Sequence, residues 1–154
     1  MMTSVSRATV DAFFAAYATR DPQRIAPYLD DDVQWAVTGP VDLLPFCGER
    51  RGKAAVVELF ERALPSVFGT VRMVWDEILI DGDRVAALVR LFATQRGNER
   101  PVSYRTAQFY RFRDEKIASF RAVFDSFNAA EQVHGQRLPF VDSIADHRAD
   151  VVVL

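Results

Sequence analysis

The strongest constraint lies in the second half of the chain, where apolar-rich runs alternate with short polar turns. Val71–Ile80 is followed by Asp81-Gly82-Asp83, Val85–Thr94 by Arg96-Gly97-Asn98-Glu99, and Val102–Arg113 by Asp114-Glu115-Lys116, which leads into Ile117–Asp125. Runs of this length and period predict strands, and turns this short join neighbouring strands antiparallel. A long meander needs cover on at least one face. The first half of the chain must supply it.

The first half reads as helices around one early strand. Val10, Phe13, Phe14 and Tyr17 are spaced for one face of a helix over Val5–Thr19. Asp21 is a good N-cap with Pro22 at the first helical position, so a second helix runs to about Leu29. After the solvated Asp30-Asp31-Asp32 turn, Val33, Trp35 and Val37 alternate with polar and small residues and predict a strand ending at Gly39-Pro40. Val41–Arg51 carries an apolar patch (Leu43, Leu44, Phe46) and reads as a loop over the mouth of a cavity. A third helix is expected from about Lys53 to Leu64, ended by Pro65, and a short one from Ser126 to Val133. The class is therefore α+β: three helices on one face of a curved antiparallel sheet, enclosing a pocket. The domain spans residues 1–134, and 135–154 form a weakly patterned tail. The opposite sheet face needs polar residues or a partner subunit.

A chain of 154 residues fits one domain, and 12 Phe, 4 Tyr and 2 Trp suggest a thick core or a lined cavity. A net charge of −2 gives no general attraction to nucleic acid or anionic membrane. No stretch approaches the roughly 20 apolar residues of a membrane span, and the single Cys47 excludes an intramolecular disulfide, so a cytoplasmic protein is expected. His134 and His147 lack ligand spacing, and no glycine-rich phosphate loop occurs, so neither metal nor cofactor is expected. Cys47 has no base nearby in sequence.

Candidate chemistry rests on a few polar residues in apolar settings. Arg90 interrupts Val85–Phe92 and requires a carboxylate, a ligand anion or an exit to solvent; pairing across a dimer interface is the competing role. Asp125 stands beside Phe124 and Phe127, where desolvation would raise its pKa for acid–base work, but it is also well placed to cap the helix that follows. Tyr104, Thr106, Gln108, Tyr110 and Phe112 share one face by alternation and would set polar groups among rings if that face is inward. Arg105, Arg111, Arg113 and Arg121 alternate with aromatics, which fits a solvated or dimer-facing side better than a nucleic-acid surface.

Phe13-Phe-Ala-Ala-Tyr…Asp21, Leu29-Asp-Asp-Asp-Val-Gln-Trp, Gly48-Glu-Arg-Arg-Gly-Lys-Ala-Ala-Val and Tyr110-Arg-Phe-Arg-Asp-Glu-Lys-Ile…Phe120-Arg-Ala-Val-Phe-Asp, in this order, resemble the nuclear-transport-factor-2-like superfamily, in its SnoaL-like and ketosteroid-isomerase-like branch. The resemblance implies a cone with a pocket for a small apolar molecule and a homodimer through the open sheet face. The tyrosine, base and second acid of ketosteroid isomerase fall at Phe13, Val37 and Gln108, so that chemistry is not expected here. Of the limonene-epoxide-hydrolase set, Arg90 and Asp125 match, while Phe92, Trp35 and Val37 replace the other three. A SnoaL-like cyclase would use Asp125 as acid–base, with Arg90 and Gln108 beside it. The pocket wall would then be Phe14, Tyr17, Trp35, Val37, Phe60, Trp75, Phe92, Tyr104 and Thr106. Two other roles compete: a non-catalytic binding module and a protein-interaction scaffold.

Overall fold

The computed structural model describes residues 4–138. Helix α1 (Arg7–Thr19) begins where the Ser6 side chain accepts from the Thr9 amide, and ends at Arg20, whose backbone turns left-handed at φ 61°. Asp21 caps α2 (Pro22–Ile25) by accepting from the Gln23 amide, and a 3-10 turn (Ala26–Tyr28) leads into β1 (Leu29–Val37). The remaining elements are β2 (Gly48–Arg51), α3 (Lys53–Glu58), α4 (Leu64–Val67), β3 (Phe68–Asp81), β4 (Arg84–Gln95), β5 (Pro101–Arg113), β6 (Lys116–Phe124) and α5 (Ser126–His134). None of the helices in the described residues is long and apolar enough to cross a membrane.

The strands form one six-stranded sheet in the order β2-β1-β6-β5-β4-β3. The meander β3 to β6 is antiparallel as expected, and the hairpin turns fall at the residues the sequence marks. Two features depart from the sequence reading. Strand β1 lies beside β6 and runs parallel to it, with Trp35 opposite Phe120. The end of the supposed cavity loop is itself a strand, β2, paired antiparallel with β1 from Gln34↔Arg51 to Val37↔Gly48. Register shifts within the β1–β6, β3–β4 and β5–β6 pairs let the open sheet bend around the helices.

Pro65 does not end the third helix. Between α3 and α4 the backbone widens into a π turn over Leu59–Ala63, and helical geometry continues through Pro65 to Val67. A wide turn loosens the regular i to i−4 ladder just where the proline ring and its missing N–H would disturb it.

Inner-face residues of the sheet meet the helices in a core rich in rings. Phe13, Trp35 and Phe68 are almost fully buried. Trp35 stacks on Phe120 at 3.8 Å, and Phe14 on Trp75 at 5.0 Å. Such pairs add about 0.5–1.5 kcal/mol each beyond area burial. The segment before β2 packs inward through Leu44, Phe46 and Cys47. Arg50 holds it in place by donating to the carbonyls of Pro45, Phe46 and Cys47 at 2.9–3.3 Å. His134 Nε2 lies 3.0 Å from the Leu43 carbonyl, tying α5 to the same segment. Gly39 is required here, because a Cβ would stand 2.5 Å from Cys47 Sγ.

Burial pushes the Cys47 thiol up from 9.0 to about 11, against a smaller opposing pull from Arg50. An unfolded thiol ionises near pH 9 while the folded one keeps its proton, so folding stability falls as pH rises from about 9 to 11. The slope from this group is about 1.4 kcal/mol per pH unit within that window. Denaturant unfolding between pH 8 and 10.5 will show this loss beginning near pH 9. In Cys47→Ala the onset will move up toward pH 10, where the unfolded tyrosines begin to ionise.

Candidate functional site

The inner face of β5 builds the site. Val102, Tyr104, Thr106, Gln108, Tyr110 and Phe112 all point inward, as alternation predicts, and Thr106 and Gln108 are the two buried polar side chains of the described core. Gln108 Oε1 accepts from the Tyr110 hydroxyl at 2.5 Å. The Gln108 side chain also lies near enough to the Tyr17 hydroxyl of α1 to favour its ionised form, a smaller effect than the burial that raises it.

Tyr104, Thr106 and Gln108 border a partly open cavity between the helices and the sheet. It is narrow, about 50 Å³. Its floor is Thr106, Gln108, Leu91, Met73, Phe120 and Ala122 from the sheet, with Trp35 and Val37 from β1. Leu59, Phe60 and Leu64 close it from the third helix, Phe46 and Phe124 from the loop side, and Tyr17, Arg20 and Tyr104 supply its remaining polar groups. Met73 is an unbranched, adaptable wall.

The electrostatics of this cavity are set by burial. Desolvation raises the Tyr17, Tyr104 and Tyr110 phenols above their ordinary pKa of 10, so all three are neutral donors at physiological pH. Desolvation pulls the Arg20 guanidinium the other way, opposed by its attraction to the Tyr17 and Tyr104 oxygens. The Trp35 and Trp75 indole N–H groups are buried without a hydrogen-bond partner. Among the described residues, no carboxylate lines the cavity.

Most of the expected wall is in place: Tyr17, Trp35, Val37, Phe60, Tyr104, Thr106 and Gln108 line the cavity together. Phe14 and Trp75 instead pack against each other outside that lining. Arg90 and Phe92 are corrected. They lie on the outer face of β4, because Val89, Leu91 and Ala93 take the inward phase. Arg90 forms a two-pronged ion pair with Asp76, at 2.8 Å from both Nε and Nη2, and sits over the Phe92 ring. Its guanidinium holds the Asp76 carboxyl below the ordinary carboxylate range.

Of the two roles open to Asp125, the structure shows the cap. Its exposed side chain caps α5, accepting from the Asn128 amide at 3.0 Å, and it does not border the cavity. Helix capping satisfies an amide that would otherwise be orphaned. Arg20 is the charged lining residue that sequence reasoning missed, and Leu59, Leu64, Met73, Leu91 and Phe120 are apolar ones it also missed. His147 and most of the proposed tail lie outside the described residues.

The opposite face of the sheet holds an open trough of about 780 Å³. Arg84, Arg111 and Arg121 border it, together with Ala86, Leu79 and Phe109. Leu79 and Phe109 are more than half exposed there. The trough is larger and somewhat more open than the inner cavity, and Glu49 and Asp81 stand among its arginines.

With fold and cavity described, the comparisons define the class: the SnoaL-like domain matches residues 10–120. The chain belongs to the SnoaL-like domain family. A Rhodopseudomonas palustris protein provisionally named an isomerase is 34% identical, with 82% of this chain and 93% of that one covered and a TM-score of 0.72. A nuclear-transport-factor-2-like protein of unknown function from Burkholderia pseudomallei is 23% identical over 82% of this chain and 95% of its own, TM-score 0.74. TerC, crystallised with polyporic acid, is 22% identical over 82% and 96%, TM-score 0.73. No curated protein matches the sequence.

Replacing Asp125 with alanine removes only the α5 cap. Asp125→Ala is expected to lose about 1 kcal/mol in denaturant unfolding, with ligand binding unchanged. A variant of native stability that has lost binding would contradict the cap assignment.

Proposed function

We propose that the protein binds a small, largely apolar molecule in the inner cavity and orients it by hydrogen bonds from the β5 face. The observation that carries this reading is the convergence of Gln108, Thr106, Tyr104 and Tyr17 on a space otherwise walled by rings and aliphatic side chains. Small-molecule sites have this makeup: mostly apolar lining with a few placed polar groups. Cytoplasmic placement belongs to the same reading and rests on the single cysteine.

The isomerase name of the 34%-identical relative favours a second reading, in which the bound molecule is also turned over. Neutral phenols and an arginine are suited to stabilising an enolate-like oxygen. Asp125, an exposed cap, does not supply the acid–base group. A cyclase or hydrolase routed through Asp125 and Arg90 therefore loses its geometric basis.

Native mass spectrometry of freshly purified protein, followed by denaturing extraction, tests the binding reading. One apolar molecule per subunit is the expected result. Gln108→Leu is expected to weaken binding of that molecule about tenfold, the scale of a lost buried hydrogen bond. Wild-type affinity in a folded Gln108→Leu protein would sink the reading. Uptake of deuterium from D2O into the bound molecule separates turnover from storage.

The outer face supports a homodimer. Leu79, Phe109 and Val123 are exposed there, and arginines surround them. Phe109→Asp is expected to convert a dimer to monomer in analytical ultracentrifugation while leaving ligand binding intact. A wild-type monomer at micromolar concentration would rule this interface out.

A further inference from the structure

Arg20 has no evident structural task for its side chain. Its backbone ends α1, with the amide donating to the Tyr17 carbonyl at 3.0 Å, and that role needs no guanidinium. No ion pair and no side-chain hydrogen bond engages Arg20 among the described residues, whereas Arg50, Arg90, Arg96, Arg100 and Arg113 all have partners. The side chain is nevertheless half-buried and is the one charged residue that borders the cavity among the described residues. A guanidinium presents five donors in a fixed plane, and withdrawing it from water without an anion is unfavourable. The groups around it cannot supply that anion: Tyr17 and Tyr104 stay protonated, and the amide and hydroxyl of Gln108 and Thr106 are neutral.

Resting on the cavity reading above, we propose that the ligand is an organic acid whose carboxylate pairs with Arg20 while its carbon frame lies against Trp35, Phe60 and Phe120. The planar two-oxygen anion matches the guanidinium fork. The phenols of Tyr17 and Tyr104 stand close enough to Arg20 to feel its charge, and as neutral donors they add hydrogen bonds to the same anion. At about 50 Å³ the cavity is smaller than an aromatic ring needs, which selects a short-chain acid. An amine or other cation is disfavoured, because Arg20 repels it and no carboxylate of the described residues lines the space.

Two probe pairs of matched shape and short chain test this in the full-length protein: acetate with acetamide, and propionate with propionamide. Affinities are read by NMR titration at pH 7. Wild type is expected to bind each acid roughly tenfold to a hundredfold more tightly than its amide, the scale of charge-assisted hydrogen bonds. Arg20→Gln is expected to erase that preference by weakening acid binding at least tenfold, while Arg20→Lys keeps most of it. Thermal melting of each variant confirms that it is folded. Equal affinity of wild type for acid and amide overturns the carboxylate assignment and leaves the cavity reading standing. A preference for the acid that survives in Arg20→Gln also overturns it, since the anion would then sit elsewhere. Failure of all four probes to bind removes the cavity reading and this assignment with it.

Discussion

The site depends on one buried amide. Gln108 sits in the ring-filled interior, and an unpaired amide there would cost on the order of 1–3 kcal/mol. Its oxygen is met by the Tyr110 hydroxyl from its own strand, and its side chain lies near the Tyr17 hydroxyl of α1. Gln108 therefore stands where the central strand faces the first helix. It also sets where the space between them remains unfilled, because groups that bond each other hold neighbouring side chains away from full collapse. Fold and site are thus linked through the same few atoms.

Alternation made β5 legible from sequence, because its polar and apolar residues separate cleanly between faces. Tyr104, Thr106 and Gln108 fall inward and Arg105 and Arg111 outward. Strand β4 carried no such phase. Ala86, Leu88 and Phe92 are apolar on the outer face, and Val85, Ala87 and Val89 are apolar on the inner one. A run apolar on both sides cannot reveal which side is core, and Arg90 was the residue to read as the marker: it points where Asp76 and solvent can meet it. Asp125 shows a related ambiguity. A carboxylate before a helix is most simply a cap, and its apolar neighbours in sequence do not surround it in space.

Other features left little local trace. Strand β2 is four residues of Gly-Glu-Arg-Arg, an edge whose pairing depends on the position of β1. The parallel contact between β1 and β6 joins segments some 80 residues apart, and no turn signal records it. Arg20 enters the cavity because the chain reverses between α1 and α2 through a left-handed residue, a conformation that non-glycine residues seldom announce.

The chemical character of the cavity follows from what its walls do to charge. Burial keeps the phenols of Tyr17, Tyr104 and Tyr110 protonated and leaves Arg20 cationic. A carboxylate or amine on the wall would have given the site both a base and an acid, as a proton-shuttling enzyme needs. This wall offers donors and one positive charge, with acceptor capacity taken up largely inside the Gln108 network. A neutral hydrocarbon would leave the Arg20 charge half-desolvated and unmatched, and a cation would compound the cost. An occupant that is apolar over most of its surface and carries acceptor oxygens with negative charge at one end satisfies both requirements. Recognition at this site is therefore governed by the anion's fit to Arg20, and the aromatic walls govern the shape of the rest.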